Sequence, residues 1–146
     1  MEKSKVYFTN MDSNINESLP KKLQRLCVKA GIKNIDFDGK FVAVKVHFGE
    51  PGNMAYLRPN YARAVCDLIK SLGGKPFVTD CNTLYVGGRK NALDHLDSAY
   101  QNGYNPFQTG VHTIIADGLK GTDEEIVPIN QKRVKEAKIG RAIMDA

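Results

Sequence analysis

Hydrophobic positions along this chain follow two spacings that alternate from one end to the other. Short runs of β-branched and aromatic residues predict four strands, at residues 5–9, 41–48, 75–80 and 111–117. Stretches in which apolar residues recur every three or four positions predict three helices, at residues 19–30, 60–72 and 89–102. A glycine, the residue that most often ends a helix, follows each of the three. Strands that alternate with helices of this length are typical of βαβ units.

We therefore predict an α/β fold with three layers, in which an open, mostly parallel sheet carries helices on both faces, as in Rossmann-like and flavodoxin-like proteins. After Asp117 the pattern changes, and two short apolar segments, 126–130 and 133–137, predict a small antiparallel β pair near the C-terminus. Residues 139–146 predict the beginning of an amphipathic helix without a stop signal. We expect residues 1–146 to be a single, incomplete α/β domain, the N-terminal fragment of a longer protein.

Composition excludes several classes of protein. The 146 residues carry a net charge of +5, and 42% of them are hydrophobic, which is ordinary for a globular domain. No apolar run approaches the roughly 20 residues of a membrane-spanning helix. The N-terminus lacks the apolar core of a secretory signal, so we predict a cytoplasmic protein that does not contact the membrane.

Basic residues are scattered, and the only dense basic face lies at residues 21–29. Aromatic residues are absent beside it, which argues against nucleic-acid binding and favours a small anionic molecule as the partner. The three cysteines, Cys27, Cys66 and Cys81, form no CxxC motif, so we expect neither a zinc ribbon nor a cysteine-ligated cluster within this chain. Cys27 and Cys66 share helix faces with apolar residues, whereas Cys81 follows a strand among polar neighbours.

Polar side chains lie where the predicted strands end. His47 and Glu50 lie at the end of the second strand, and Asp80 and Cys81 at the end of the third. Asp117 ends the fourth. Because the carboxyl ends of parallel strands meet at one edge, where open α/β proteins bind ligands, we expect these side chains to share a crevice.

Two chemistries match this set of residues. His47, Asp80 and Asp117 offer the imidazole and carboxylate ligands that a divalent metal uses. Alternatively, Cys81 is a catalytic nucleophile and His47 is its catalytic base. The structural alternatives are that His47 bonds to its own loop and that Asp80 only caps the next turn. Residue type and spacing leave these alternatives open.

Contacts to a substrate or small anion are predicted for Lys45, Glu50, Asn53, Arg58, Asn82 and Arg89. Lys45 lies in an otherwise apolar strand, where burial without an anionic partner is costly. Arg58 and Arg89 each precede a predicted helix, and helix N-termini favour anions. The structural alternative for Lys45 and Arg58 is an ordinary ion pair. We predict structural roles for His95, partly exposed beside an apolar helical stripe, and for His112.

Four motifs give the chain a family resemblance: KVHFGEPGN at 45–53, LRPNY at 57–61, TDCNTLY at 79–85 and ADGLKG at 116–121. With them the chain resembles the uncharacterised iron–sulfur-centre proteins of domain-of-unknown-function family 362. Many of those proteins resemble a fusion of such an α/β region with a ferredoxin-like module that binds [4Fe–4S] clusters. Since this chain holds no cluster-binding cysteine motif, the resemblance implies a cluster only in a missing C-terminal part.

The resemblance implies that this chain is the substrate- or metal-binding portion of an iron–sulfur redox protein, with a redox partner. A divalent metal is then the one cofactor expected within the chain itself. The alternative is a non-catalytic module that binds a small anion or serves as a scaffold, so the question of enzymatic activity stays open. An exposed edge of the incomplete sheet also predicts a homodimer.

Overall fold

Three parallel strands form the central sheet of the protein, whose computed structural model describes residues 3–146. Strand β1 spans Phe41–Lys45, β2 spans Lys75–Asp80 and β3 spans Thr113–Ile115. β2 lies in the middle and pairs with β1 on one side and with β3 on the other. Because all three strands run in the same direction, the loops that follow them meet at one edge of the sheet.

Helices flank this sheet. Within the described residues they are α1 (Leu19–Ala30), α2 (Pro59–Ser71), α3 (Ala92–Gln101), α4 (Pro106–Thr109) and α5 (Arg141–Met144), with a 3₁₀ turn at Ile32–Asn34. Helix α2 packs against β1 and β2, α1 packs on α2, and α3 packs against β3. Gly31 ends α1 with a φ of 102°, a left-handed conformation that favours glycine. Among residues 3–146, no helix has the length and apolar character that crossing a membrane requires.

The hydrophobic core joins the sheet to α2 and α3. Phe48 and Tyr104 are fully buried, with ring centroids 5.0 Å apart. They belong to one cluster with Val78 of β2, Cys66 of α2 and Ala99 of α3. This cluster fixes α3 relative to β2, and it therefore positions the polar side chains at the carboxyl end of β2.

A small antiparallel sheet follows the parallel one. Strand β4 (Glu124–Pro128) pairs with β5 (Glu136–Gly140), and Asn130 has a positive φ of 49° in the loop between them. Gly140 lies against Ala116, since a Cβ atom at Gly140 would be 2.8 Å from the Ala116 carbonyl carbon. This close approach holds the small sheet against the carboxyl end of β3.

The predicted α/β fold is confirmed as a parallel three-stranded sheet flanked by helices, with the small antiparallel pair near the C-terminus. The predicted strand at residues 5–9 is wrong, because residues 3–13 contain no strand. Val6 and Phe8 are instead 90% and 86% exposed. A short apolar run becomes a strand only where a neighbouring strand and a core accept it, and this segment has neither within the described residues.

Several predicted boundaries also need correction. β1 ends at Lys45 rather than at residue 48, and β3 is shorter than the predicted 111–117. Helix α2 begins at Pro59, which has the fixed φ suited to a first helical turn, rather than after an Asn60 cap. In place of a helix at 139–146, residues 139 and 140 complete β5, and α5 is only four residues long.

Candidate functional site

A cleft of about 360 Å³ opens at the carboxyl ends of β2 and β3. Its walls come from residues 81–84 after β2, from the loop after β3, and from β4 and β5. The polar side chains in its lining are Cys81, Asn82, Thr83, Lys90, Asp117, Lys120, Glu124 and Lys138. We refer to this space as the Cys81 cleft. Its position is the one where open α/β sheets bind their ligands.

Three lysines give the Cys81 cleft a positive rim. Lys138 pairs with Glu124 across the two strands of the small sheet. By contrast, no ion pair found among residues 3–146 involves Lys90 or Lys120, and both residues are exposed. Two lysine side chains at the cleft are therefore available to an anion.

Asp117, which lines the cleft, links two of its loops by hydrogen bonds. Both of its carboxylate oxygens accept a hydrogen bond from the backbone N–H of Asn82, at 3.0 Å. The Asn82 side-chain Nδ2 donates to Asp117 Oδ1 at 2.9 Å and to the Gly118 carbonyl at 2.8 Å. These bonds tie the loop after β2 to the loop after β3, and they use much of the capacity of Asp117 to accept hydrogen bonds.

Cys81 is half-buried in the wall of the cleft, and its thiol is held in the protonated form. Burial raises the pKa of the Cys81 thiol above its ordinary value, and the charges of Asp117 and Asp80 raise it further. Because the thiolate is the reactive form of cysteine, this environment does not activate Cys81 as a nucleophile.

His47 lies outside the cleft lining. Its side chain is exposed, and its Nδ1 accepts a hydrogen bond from the backbone N–H of Gly49 at 3.0 Å. This is the contact with its own loop that the structural alternative predicts. No hydrogen bond in the described part of the chain joins His47 to Cys81, so the structure does not assemble the predicted nucleophile and base as a bonded pair.

Four other predicted residues meet in a separate cluster, where they pair with one another. Arg89 is 2% exposed, and its Nε donates to Glu50 Oε1 at 2.8 Å while its Nη1 donates to Asp80 Oδ2 at 3.3 Å. Lys45 Nζ lies 3.5 Å from the other oxygen of Asp80. Tyr85 completes the cluster by donating its hydroxyl to Glu50 Oε1 at 2.6 Å. We call these five residues the Arg89 cluster.

Electrostatics within the Arg89 cluster favour the ionised form of Glu50. The hydrogen bond from Tyr85 lowers the pKa of Glu50, and the hydrogen bond from Arg89 lowers it further against the opposing effect of burial. The cluster connects the loop after β1 to the loop after β2, and Lys90 of the Cys81 cleft directly follows Arg89. The cluster therefore holds one wall of the cleft in place.

His95 is fully buried beside this cluster, so the prediction that it is partly exposed is wrong. Its Nε2 lies 3.9 Å from Asp80 Oδ2, and neither ring nitrogen has a hydrogen-bond partner among the described residues. Burial lowers the pKa of His95, and the charge of Asp80 only partly opposes this effect. The signal was present in the sequence, since His95 lies three positions after Ala92 and four before Ala99, on the buried face of α3.

The remaining predicted residues lie elsewhere. Asn53 Oδ1 accepts a hydrogen bond from the Ala55 N–H at 2.8 Å within an exposed turn. Arg58 precedes α2 and lines a different hollow, of about 150 Å³, with Met54 and Tyr56. Neither Asn53 nor Arg58 lines the Cys81 cleft.

The proposed metal ligands do not form a ligand set in this structure. Within residues 3–146, no three His, Cys, Asp or Glu side chains are grouped so that they could hold a metal ion. Asp80 faces two cations, Arg89 and Lys45, and Asp117 is bonded to Asn82. Binding a divalent ion at these carboxylates would require the side chains around them to move.

Sequence reasoning missed the lysines of the cleft. Lys120 lies in the loop after β3, and Lys138 lies in β5. The sequence predicted a small antiparallel pair near the C-terminus, but it did not predict that this pair lies beside the end of β3. Lys138 and Gly140 are two positions apart on one strand and therefore share a face. Because a glycine in a strand often marks a close approach to another segment, Gly140 was the signal that this face lies against the rest of the protein. Lys90 directly follows Arg89, for which the sequence predicted an anion contact, whereas no role was predicted for Lys90.

Comparisons with known proteins identify one family. A family model described as "Domain of unknown function (DUF362)" matches residues 42–146. This match includes the Cys81 cleft, the Arg89 cluster and all of β1 except Phe41. The comparison with curated proteins found no match, and the comparison with solved structures found none either.

Proposed function

The chain belongs to the DUF362 family, whose domain has no assigned function, and we propose that this domain binds a small anionic molecule in the Cys81 cleft. The observation that carries the proposal is the pair of lysines, Lys90 and Lys120, that line a cleft at the carboxyl edge of the sheet without a carboxylate partner among residues 3–146. Phosphate and carboxylate groups are the chemistry that such lysines recognise.

The size of the cleft supports a small ligand. Its volume of about 360 Å³ lies within the range of roughly 300–1,000 Å³ that is usual for small-molecule sites. Asp117 and Asn82 bond to each other, and Glu124 pairs with Lys138, so the acidic groups at the cleft already have partners. An anion would therefore meet Lys90 and Lys120, and the only cleft carboxylate without a cation partner among residues 3–146 is that of Asp117. With three lysines and two acidic residues in its lining, the cleft keeps a net positive charge.

Binding accounts for these observations better than catalysis by Cys81. A protonated thiol can donate a weak hydrogen bond to a ligand, whereas nucleophilic attack requires the thiolate. The assignment of Cys81 as nucleophile and His47 as base stays a prediction, and it requires a rearrangement that brings a base to the thiol. The scaffold alternative predicts a cleft without a ligand.

The redox role stays a prediction as well. The family match covers this domain and says nothing of a cluster or of a redox partner. A divalent metal at His47, Asp80 and Asp117 would be tested by measuring the metal content of the purified protein and of the His47→Ala and Asp117→Asn variants. Stoichiometric metal that is lost in both variants would support the metal site over the anion site.

The test of anion binding is thermal unfolding with added phosphate or malonate, compared with sodium chloride at equal ionic strength. We expect both anions to raise the melting temperature of the native chain in a saturable way. The double variant Lys90→Gln/Lys120→Gln should lose most of this rise. A matched control, Lys29→Gln/Lys33→Gln, removes the same charge from exposed positions outside the cleft and should keep it.

Some anions stabilise proteins without binding a site, because they are excluded from the surface. That effect would be equal in the native chain and in both double variants. An equal rise in all three proteins, or no rise in any of them, would overturn the proposal and favour the scaffold alternative.

A further inference from the structure

An apolar groove of about 430 Å³ lies beside β1 and shares no lining residue with the Cys81 cleft. Val44 and Val46 form one wall, Leu57 and Tyr61 form another, and Leu23 of α1 closes it. Every residue of the lining is apolar or aromatic. A groove with an apolar lining can hold the apolar side chains of a bound segment.

The strand next to this groove has an unpaired edge. β1 pairs with β2 on one side, and the described residues provide no strand for its other side. An open edge presents backbone N–H and C=O groups that can pair with an added strand. The groove and the edge together form a site for an extended apolar segment, which would bond through its backbone and bury alternate side chains.

The N-terminal segment of the chain has the composition of such a strand. Residues 5–9 read KVYFT, in which Val6 and Phe8 are 90% and 86% exposed while Tyr7 is 38% exposed. In an extended segment, residues two positions apart lie on the same face. Val6 and Phe8 therefore form one apolar face that the rest of the described chain leaves uncovered.

The residues that directly follow this segment are bonded to helix α1. Lys22 Nζ donates to Asn10 Oδ1 at 2.5 Å and to the Asp12 carbonyl at 2.7 Å, which holds residues 10–12 against α1. Met11 lines the groove, but the segment before it leaves Val6 and Phe8 in solvent. In a single copy, the apolar segment and the apolar groove both stay exposed.

We propose that two copies of this chain associate by exchanging their N-terminal segments. Residues 5–9 of each copy add to the open edge of β1 in the other copy, and Val6 and Phe8 enter its apolar groove. The exchange is symmetric, because each copy both donates a segment and accepts one, as expected for a two-fold dimer. This exchange would bury Val6 and Phe8, fill the apolar groove and pair the open edge of β1 in each copy.

The test is the molar mass of the purified full chain, measured by light scattering from micromolar to millimolar concentration. We expect the native chain to dimerise and Val6→Asp/Phe8→Asp to stay monomeric over the whole range. Both substitutions are at exposed positions, so the folded monomer should tolerate them. The control is Phe107→Asp, which changes a 94% exposed phenylalanine on α4 outside the groove and should leave the dimer intact.

Two results would overturn the proposal. One is a native chain that stays monomeric at all concentrations, including the case in which residues 5–9 fold onto their own groove. The other is a dimer that persists in Val6→Asp/Phe8→Asp, which would place the interface elsewhere. A second readout is a disulfide between copies carrying Val6→Cys and copies carrying Val44→Cys, which we expect only when the two are mixed.

Discussion

Arg89 Nε donates a hydrogen bond to Glu50 Oε1 at 2.8 Å and so joins the loop after β1 to the loop after β2. The same guanidinium reaches Asp80 at 3.3 Å. Its side chain is only 3% exposed, so it is a buried cation that serves two carboxylates. Arg89 and Glu50 are 39 residues apart in sequence, and their hydrogen bond holds the two loops together.

Replacing Arg89 with methionine should strongly destabilise the fold. The substitution keeps much of the side-chain volume but leaves Glu50 without a cation and Asp80 with only the largely exposed Lys45. Removing one partner of a buried ion pair typically costs about 3 kcal/mol or more, because the remaining charge stays desolvated. Urea unfolding of Arg89→Met should show a loss of that size in the free energy of unfolding.

The control for this measurement is Arg25→Met. Arg25 also pairs with a carboxylate, Glu17, at 2.6 Å, but its side chain is 58% exposed. Exposed pairs contribute little to stability, so Arg25→Met should unfold almost as the native chain does. Equal losses in the two variants would mean that the burial of Arg89 has no particular role.

Because His95 is buried, we expect the free energy of unfolding to decrease at mildly acid pH. Burial lowers its pKa in the folded state, although Asp80, Asp117 and Glu50 oppose this and Arg89 adds to it. Below a pH of about 6.5 the unfolded chain therefore takes up a proton that the folded chain does not. Stability is complete above that pH and falls as the pH decreases, by up to about 1.4 kcal/mol per pH unit.

The measurement is urea unfolding at several values between about pH 5 and pH 8. His95→Leu should remove most of the pH dependence in this range, while His112→Leu, at an exposed position, should keep it. Glu50 acts in a lower pH range, because its pKa in the folded state lies below the ordinary value of 4.5 and the stability that it contributes is lost only as the pH falls below that value. A native chain whose stability does not change between these values would contradict the prediction.

Local patterns predicted much of the architecture and part of the site. Alternation of strands and helices predicted the parallel sheet, and the expectation that Cys81 and Asp117 lie together at the strand ends agrees with their place in one cleft lining, which does not include His47. The pairing of Arg89 with Glu50 depends on how two loops fold over each other, which no spacing reveals. Val6 and Phe8 form a strand-like pattern without a strand, because a strand also needs a partner.

Gly140→Ala should weaken the attachment of the small sheet. Gly140 has a φ of −57°, which alanine adopts easily, so the effect of the substitution is steric. The new Cβ would lie 2.8 Å from the carbonyl carbon of Ala116, and overpacking of this kind costs about 1–3 kcal/mol. The change should appear as a lower melting temperature and, because Gly140 lines the Cys81 cleft, as weaker stabilisation by phosphate.

The matched control is Gly87→Ala. A Cβ atom there would meet only the ring of Tyr85, at an ordinary distance of 3.4 Å. Gly87 lies in an exposed loop and does not line the cleft, so this variant should melt and bind phosphate as the native chain does. If Gly140→Ala were as stable as Gly87→Ala, the small sheet would not be held through the Ala116 contact.

Cys81 should react slowly with iodoacetamide at neutral pH. Burial and the charges of Asp117 and Asp80 raise the pKa of its thiol, so only a small fraction is thiolate. Cys66 should be slower still, because it is fully buried and its pKa is raised to about 11. Peptide mass spectrometry after timed alkylation would give each rate, and guanidinium-unfolded protein would give the reference rate for each cysteine.

We expect the rate at Cys81 to be several-fold below its unfolded reference at pH 7 and to increase by about tenfold per pH unit as the pH approaches the raised pKa of the thiol. His47→Ala should leave this rate unchanged, since the histidine bonds to Gly49 and makes no hydrogen bond to the thiol. Rapid alkylation of Cys81 at neutral pH that slows in His47→Ala would reverse the conclusion. It would show that His47 activates the thiol and would favour a catalytic cysteine over a binding cleft.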